Sequence, residues 1–299
     1  MHGMITSLQL STEIRSATPP VVIDVRLADD FAACHLPDAL NNTVFEGAFN
    51  ERLPAQVPDL TTAVRIYGAS GNSFEARIAV EKLERAGYWE VAELEGGIEA
   101  WLAAGFSVSG SPTEPVFPIP HGRLQIDLEA SKVEWTGRNL LNKHHGGVAL
   151  KSGHLDFDQG RLTGGEIILD LTRLDCTGLA GSAYHDVLIR HLHDHDFFDV
   201  TRFPEAVLSI TSAAPISDSG PGALNLRLTA DLTIKGRTHP IEFAAASGLT
   251  PEGKAAAQAV FSIDRTKWGV LYGSGKFFHR LAGHLVNDQI AFEVKIVTR

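Results

Sequence analysis

Residues 224–234 alternate without a break. Leu224, Leu226, Leu228, Ala230, Leu232 and Ile234 stand between Asn225, Arg227, Thr229, Asp231 and Thr233. A period of two over eleven residues is the signature of a strand with one buried face, which a helix cannot produce. Ile290, Phe292, Val294 and Ile296 repeat the pattern with Ala291, Glu293 and Lys295 between them. Shorter versions lie at 132–136, 154–158, 166–171, 206–210, 240–245 and 257–263. About eight strands, each apolar on one face, predict an antiparallel sheet closed around its apolar side or two sheets packed face to face. One helix is expected in this half, over about 182–195.

The first third reads differently. Short β-branched runs at 20–25 and 63–67, and a third strand at 90–94, are interleaved with helical stretches. Ala76, Ala79, Val80 and Leu83 share one face of a helix over 73–86 that Gly87 stops, and a second helix over 97–104 ends at Gly105. Alternating strands and helices predict a parallel sheet with flanking helices. Between the halves, residues 109–120 hold four prolines and no period, which marks a semi-rigid linker. The expected organisation is therefore an α/β domain at 1–110, a linker at 111–121 and a mainly antiparallel β-barrel domain at 122–299.

Composition sharpens the division. Residues 1–110 carry 15 acids and 7 bases, a net charge of −8; the remainder carries 21 and 19, a net of −2; and 11 of the 13 histidines fall in the second part. An overall charge of −10 disfavours generic nucleic-acid binding. No apolar run is long enough for a transmembrane segment, and the start shows no basic leader before an apolar stretch, so a cytoplasmic location is expected. Cys34 and Cys176 are too few for a disulfide framework or a cysteine metal cage.

The motifs Val22-Ile-Asp-Val-Arg26, Asp30-Phe-Ala-Ala-Cys-His-Leu-Pro37 and Leu94-Glu-Gly-Gly-Ile-Glu-Ala-Trp101 resemble the rhodanese family. The resemblance implies a loop after the central strand that opens on a persulfide-bearing cysteine cradled by backbone N–H groups. Here that loop is Gly68, Ala69, Ser70, Gly71, Asn72 and Ser73, with glycine at the cysteine position. Glycine offers no nucleophile, so no sulfurtransferase activity is expected. What remains is a docking module for a protein partner, or a cradle for a small anion.

Residues 124–297 resemble the YceI-like family, lipocalin-like barrels associated with polyisoprenoid binding. The residues that carry this are Ala130-Ser-Lys-Val-Glu-Trp-Thr-Gly137, Lys143-His-His-Gly-Gly-Val148, the run from His191 to Pro204, Leu228-Thr-Ala-Asp-Leu-Thr-Ile-Lys-Gly236 and Ile263-Asp-Arg-Thr-Lys-Trp-Gly-Val270. The resemblance implies an isoprenoid or quinone-type lipid as ligand, with no cofactor required. An eight-stranded barrel has room for one slender ligand. The expected lining is Trp135, Leu226, Leu228, Leu232, Trp268, Phe277, Phe278 and Phe292, with Ile290 and Val294, and His144 and His191 beside the head group.

Two alternatives come from other chemistry. His191 and His195, at i and i+4, would share a helical face and could chelate a divalent metal, the basis of a metal-responsive reading. The same corner is otherwise a hydrogen-bonded polar turn, with no metal. A sulfur-handling enzyme would have to use Cys34 or Cys176. The sequence leaves a homodimer open.

Overall fold

The computed structural model describes residues 3–111, 118–139, 141–217, 219–220, 222–279 and 285–299. The chain divides into two compact units, 1–116 and 117–299. Most of the proline-rich linker, residues 112–117, lies outside the described residues.

The first unit contains, in order, β1 (Gly3–Ile5), α1 (Ser7–Ile14), β2 (Val21–Asp24), α2 (Ala28–Ala33), β3 (Cys34–His35), β4 (Leu40–Asn41), α3 (Phe49–Gln56), β5 (Val64–Tyr67), α4 (Glu75–Arg85), β6 (Val91–Leu94), α5 (Gly97–Ala103) and β7 (Ser109–Gly110). Five strands form one sheet in the order β1-β6-β5-β2-β4, every pair parallel. Successive side chains leave a strand on opposite faces, so both faces must be covered. Ile23 and Ile66 pack on one face under α3 and α4, with Phe49, Leu53, Val80 and Leu83. Val22 and Tyr67 pack on the other, with Leu10 of α1 and Ile98 and Trp101 of α5. The hydrophobic pattern did not reveal α1, α2 or α3. They have six to eight residues each, and Pro54 lies inside α3. A capping box at α1, in which the Gln9 N–H donates to Thr6 Oγ1 and the Thr6 N–H to Gln9 Oε1, marks that helix start instead.

The second unit contains β8 (Gly122–Gln125), β9 (Lys132–Arg138), β10 (Lys143–Asp158), β11 (Arg161–Leu174), α6 (His185–His193), β12 (Glu205–Pro215), β13 (Leu226–Ile234), β14 (Arg237–Leu249), β15 (Ala255–Asp264) and β16 (Gln289–Val297), with 3₁₀ turns at Thr177–Leu179 and Arg265–Trp268. From β9 to β16 each strand pairs antiparallel with the next, and β16 returns to pair with β9. The result is a closed eight-stranded up-and-down barrel, with β8 added along β10. The alternation read from the sequence sets its inside: Leu228, Ala230, Leu232 and Ile234 are all buried.

Tight turns hold the register. Between β13 and β14 the chain reverses through Lys235 (φ 52°) and Gly236 (φ 68°), both left-handed, as a type I′ hairpin needs. A Cβ on Gly236 would stand 2.8 Å from the Phe203 ring, so this glycine is fixed by space as well. Lys235 Nζ donates to the carbonyls of His195 and Phe197 at 2.8 Å, tying the hairpin to the chain that leaves α6. That helix packs Leu188, Ile189 and Leu192 with Leu174, Phe197 and Val270 at one end of the barrel.

Candidate ligand cavity and the loop after β5

The barrel is half full. Toward the end where β13 starts, Ile126, Leu155, Ile210, Leu228, Ala245, Ala259 and Ile296 pack into a common core. Toward the α6 end the inward side chains leave a cavity of about 260 Å³, just under the usual range of small-ligand sites. Its wall is apolar, from Val133, Ile167, Leu169, Ala206, Leu208, Leu232, Phe261 and Phe292 among others. The exposed Arg138 is also a wall residue, so the cavity reaches solvent there.

The wall also carries polar side chains. Arg138, Asn139, His144, His191, Arg265 and Tyr272 line it, and no carboxylate does among the described residues. His191 sits edge-on to Tyr272 at 4.2 Å and to Phe197 at 5.7 Å, with Nε2 3.8 Å from Asp196. Arg265 is buried, which pushes its pKa down, and its guanidinium donates to the carbonyls of Val270 (2.7 Å), Asn287 (3.1 Å) and Val286 (3.2 Å). With its donors committed, Arg265 clamps the chain after the second 3₁₀ turn. Trp135 donates from Nε1 to the Asp175 carbonyl at 3.1 Å, which fixes its indole against the wall.

Of the residues singled out from the sequence, Trp135, His144, His191, Leu232, Ile290, Phe292 and Val294 line this cavity. Five others do not. Leu226 and Leu228 point inward but belong to the filled half. Trp268 is a core residue whose Nε1 donates to the Leu232 carbonyl at 2.8 Å. Phe277 and Phe278 are exposed, at 52% and 45%. The His191–His195 helical pair does not form either, because α6 ends at His193 and Asp194 is extended. His195 instead accompanies Asp194 and Asp196 in an exposed group with ligand atoms within 4.8 Å of one another. Tyr272, Phe197 and Arg265 were not among the expected lining; they sit outside the strands, where no period of two singles them out.

In the first unit, Gly68 follows β5 and opens the loop before α4. The cradle is occupied by the protein itself. Glu75, the first residue of α4, turns its carboxylate back so that Oε1 accepts from the Ala69 N–H at 2.7 Å. Ser73 Oγ accepts from the Ser70 N–H at 3.1 Å, and Ser70 Oγ from the Asn72 N–H at 3.2 Å. The N–H groups of Ala69, Ser70 and Asn72 are thus partnered within the protein, by Glu75, Ser73 and Ser70. Cys34 and Cys176 are both buried, and burial pushes both thiols up, away from the reactive thiolate. That geometry does not favour sulfur chemistry at either cysteine.

A family model for the YceI-like domain matches residues 124–298, and one for the rhodanese-like domain matches residues 8–104. The adenylyltransferase and sulfurtransferase MOCS3 of Drosophila sechellia is 34% identical over 107 residues, 34% of this chain and 21% of that protein. The chain thus spans about a fifth of the length of that curated relative. Among solved structures, BcnA of Burkholderia cenocepacia is similar at 19% identity and a TM-score of 0.47, covering 58% of this chain and 99% of its own. A polyisoprenoid binding domain from Saccharophagus degradans, implicated in plant cell wall breakdown, is similar at 13% identity and a TM-score of 0.44, covering 60% and 99%. With more than half its length matched, the chain belongs to the YceI-like domain family and carries a rhodanese-like domain ahead of the barrel.

Proposed function

We propose that the barrel holds one isoprenoid or quinone-type amphiphile, tail inside and head at the mouth, for storage, shielding or delivery without chemistry on it. The cavity carries this reading: a narrow apolar space with a few polar side chains, Arg138, Asn139, His144 and His191 among them, in its wall. A buried CH₂ contributes about 0.8 kcal/mol, so one five-carbon isoprene unit contributes about 4 kcal/mol. Two such units offset much of the association cost of roughly 4–15 kcal/mol. Arg138, His144 and His191 can each donate to a carbonyl or phosphate oxygen of the head group.

The first unit, in this reading, docks a basic or neutral protein partner, which its net charge of −8 over residues 1–110 suits. Gly68 at the cysteine position and Glu75 inside the loop both support a non-catalytic role.

Titration with a short prenylated benzoquinone tests the barrel. The quinone should quench Trp135 saturably, and Trp135→Phe should lose the quench but retain binding in equilibrium dialysis. Equal affinity for benzoquinone without its tail would defeat the proposal.

A further inference from the structure

The second unit leaves ten large apolar side chains exposed among its described residues, and six gather at one end. Leu141 (87% exposed) tips the β9–β10 turn, beside the mouth residues Arg138, Asn139 and His144. Tyr184 and Val187 stand at the start of α6, whose Leu188, His191 and Leu192 face the cavity. Phe277, Phe278 and Leu285 lie on the segment between Tyr272 and Val286, both wall residues. Hydrogen bonds join these pieces into one rim: Asn287 N–H donates to the Arg138 carbonyl (2.8 Å) and Val286 N–H to the Gly273 carbonyl (2.8 Å). The Asn139 side chain accepts from the Leu141 N–H at 2.9 Å, pinning the turn that presents Leu141.

An apolar ring around the opening of an apolar cavity is more than scattered surface hydrophobicity. Its charge is also unlike the rest of the molecule. Arg138 and Lys143 face each other in register across the β9–β10 hairpin, both exposed and without an ion pair among the described residues. Asp175 and Asp186, near the start of α6, are both held by His185, at 2.7 and 2.9 Å. Two further exposed carboxylates at this end, Asp194 and Asp196, lie beside His195 and His191, at 2.8 and 3.8 Å, so Arg138 and Lys143 stand as cations unpaired among the described residues, amid the aromatic and aliphatic side chains. Cations beside half-inserted aromatic side chains match the head-group layer of a bilayer with anionic lipid.

We infer that this rim docks the barrel mouth on an anionic bilayer surface, so that a membrane lipid passes between bilayer and cavity without crossing water. The inference rests on the carrier reading for its purpose, but docking itself is measurable without cargo. No helix among the described residues is long and apolar enough to cross a membrane, and docking requires none.

Sedimentation of the full chain with phosphatidylcholine vesicles containing phosphatidylglycerol, free of isoprenoid, tests it. The wild type should pellet, and less so as salt rises. Phe277→Asp/Phe278→Asp and, on a different loop, Leu141→Asp should each lose at least about tenfold in partitioning. Leu249→Asp, an exposed position at the filled end of the barrel, should pellet like the wild type. The rim variants should still bind the prenylated quinone in solution, which separates docking from the carrier function. A wild type that stays in the supernatant overturns the inference. So does a Leu249→Asp loss equal to that of the rim variants, or rim variants that lose quinone and vesicles together.

Discussion

Putting a cysteine back at position 68 should not restore a rhodanese nucleophile, and the structure gives the size of the obstacle. A Cβ built on Gly68 stands 2.6 Å from Glu75 Oε1, 2.7 Å from its Cγ and 2.8 Å from its Cδ. The Glu75 side chain must swing aside, losing its bond from the Ala69 N–H, and a charge-assisted bond of this kind contributes about 1.5–3 kcal/mol. Even displaced, the carboxylate stays near the new sulfur. At about 4 Å and an effective dielectric of about 20, two like charges repel by about 4 kcal/mol, equivalent to about three pH units. Glu75 is only half-buried, and solvent screening reduces this to about one or two. The thiol in Gly68→Cys should therefore titrate above the ~8.5 of free cysteine. In Gly68→Cys/Glu75→Ala the repulsion goes and the Ala69 N–H is freed to face the thiolate, so the midpoint should fall by more than about one unit. The assay is the pH dependence of iodoacetamide alkylation, followed by peptide mass spectrometry to separate the introduced thiol from the buried Cys34 and Cys176. Equal midpoints in the two variants, or a single variant already below free cysteine, would refute the reasoning.

Three further outcomes are expected. Ala206→Phe places a ring in the cavity and should weaken prenylquinone binding at least about tenfold while Tm does not fall, because filling a void offsets overpacking; calorimetric scanning with ligand titration reads both. Trp268→Phe removes the donor to the Leu232 carbonyl and should cost about 1–3 kcal/mol in urea denaturation with ligand affinity unchanged, whereas Trp135→Ala should do the reverse. His185, hydrogen-bonded first by Asp186 and then by Asp175, has its pKa raised; its contribution is full below the ~6.5 of an unperturbed histidine and is lost as pH rises through the higher folded value. NMR titration should place its midpoint above ~6.5, and Asp175→Asn should bring it back toward that value.

The barrel was legible because its strands obey a strict period. The last nine residues of the alternation ending at Ile234 are β13 in the structure, and Ile290 to Ile296 lie within β16. The same regularity hid the line between hollow and solid. Leu228 and Leu232 share a strand, a face, a residue type and one buried cluster, yet only Leu232 borders the cavity. Only the side chains brought across from distant strands decide that, and no local pattern encodes them. Trp268, Phe277 and Phe278 illustrate the same limit on irregular chain, where aromatic content alone does not distinguish core, wall and surface. Gly68 was readable at once as a glycine opening the loop after β5. The turn of Glu75 back onto Ala69 was not, since an acid at a helix start ordinarily serves its own helix.

Mass spectrometry of an organic extract from natively purified protein reads the cargo itself. A prenyl-bearing molecule is expected at about one per chain in the wild type, and little or none in Ala206→Phe. A wild type purified without any such molecule from cells that make isoprenoid lipids, or equal loads in both proteins, would contradict the carrier reading.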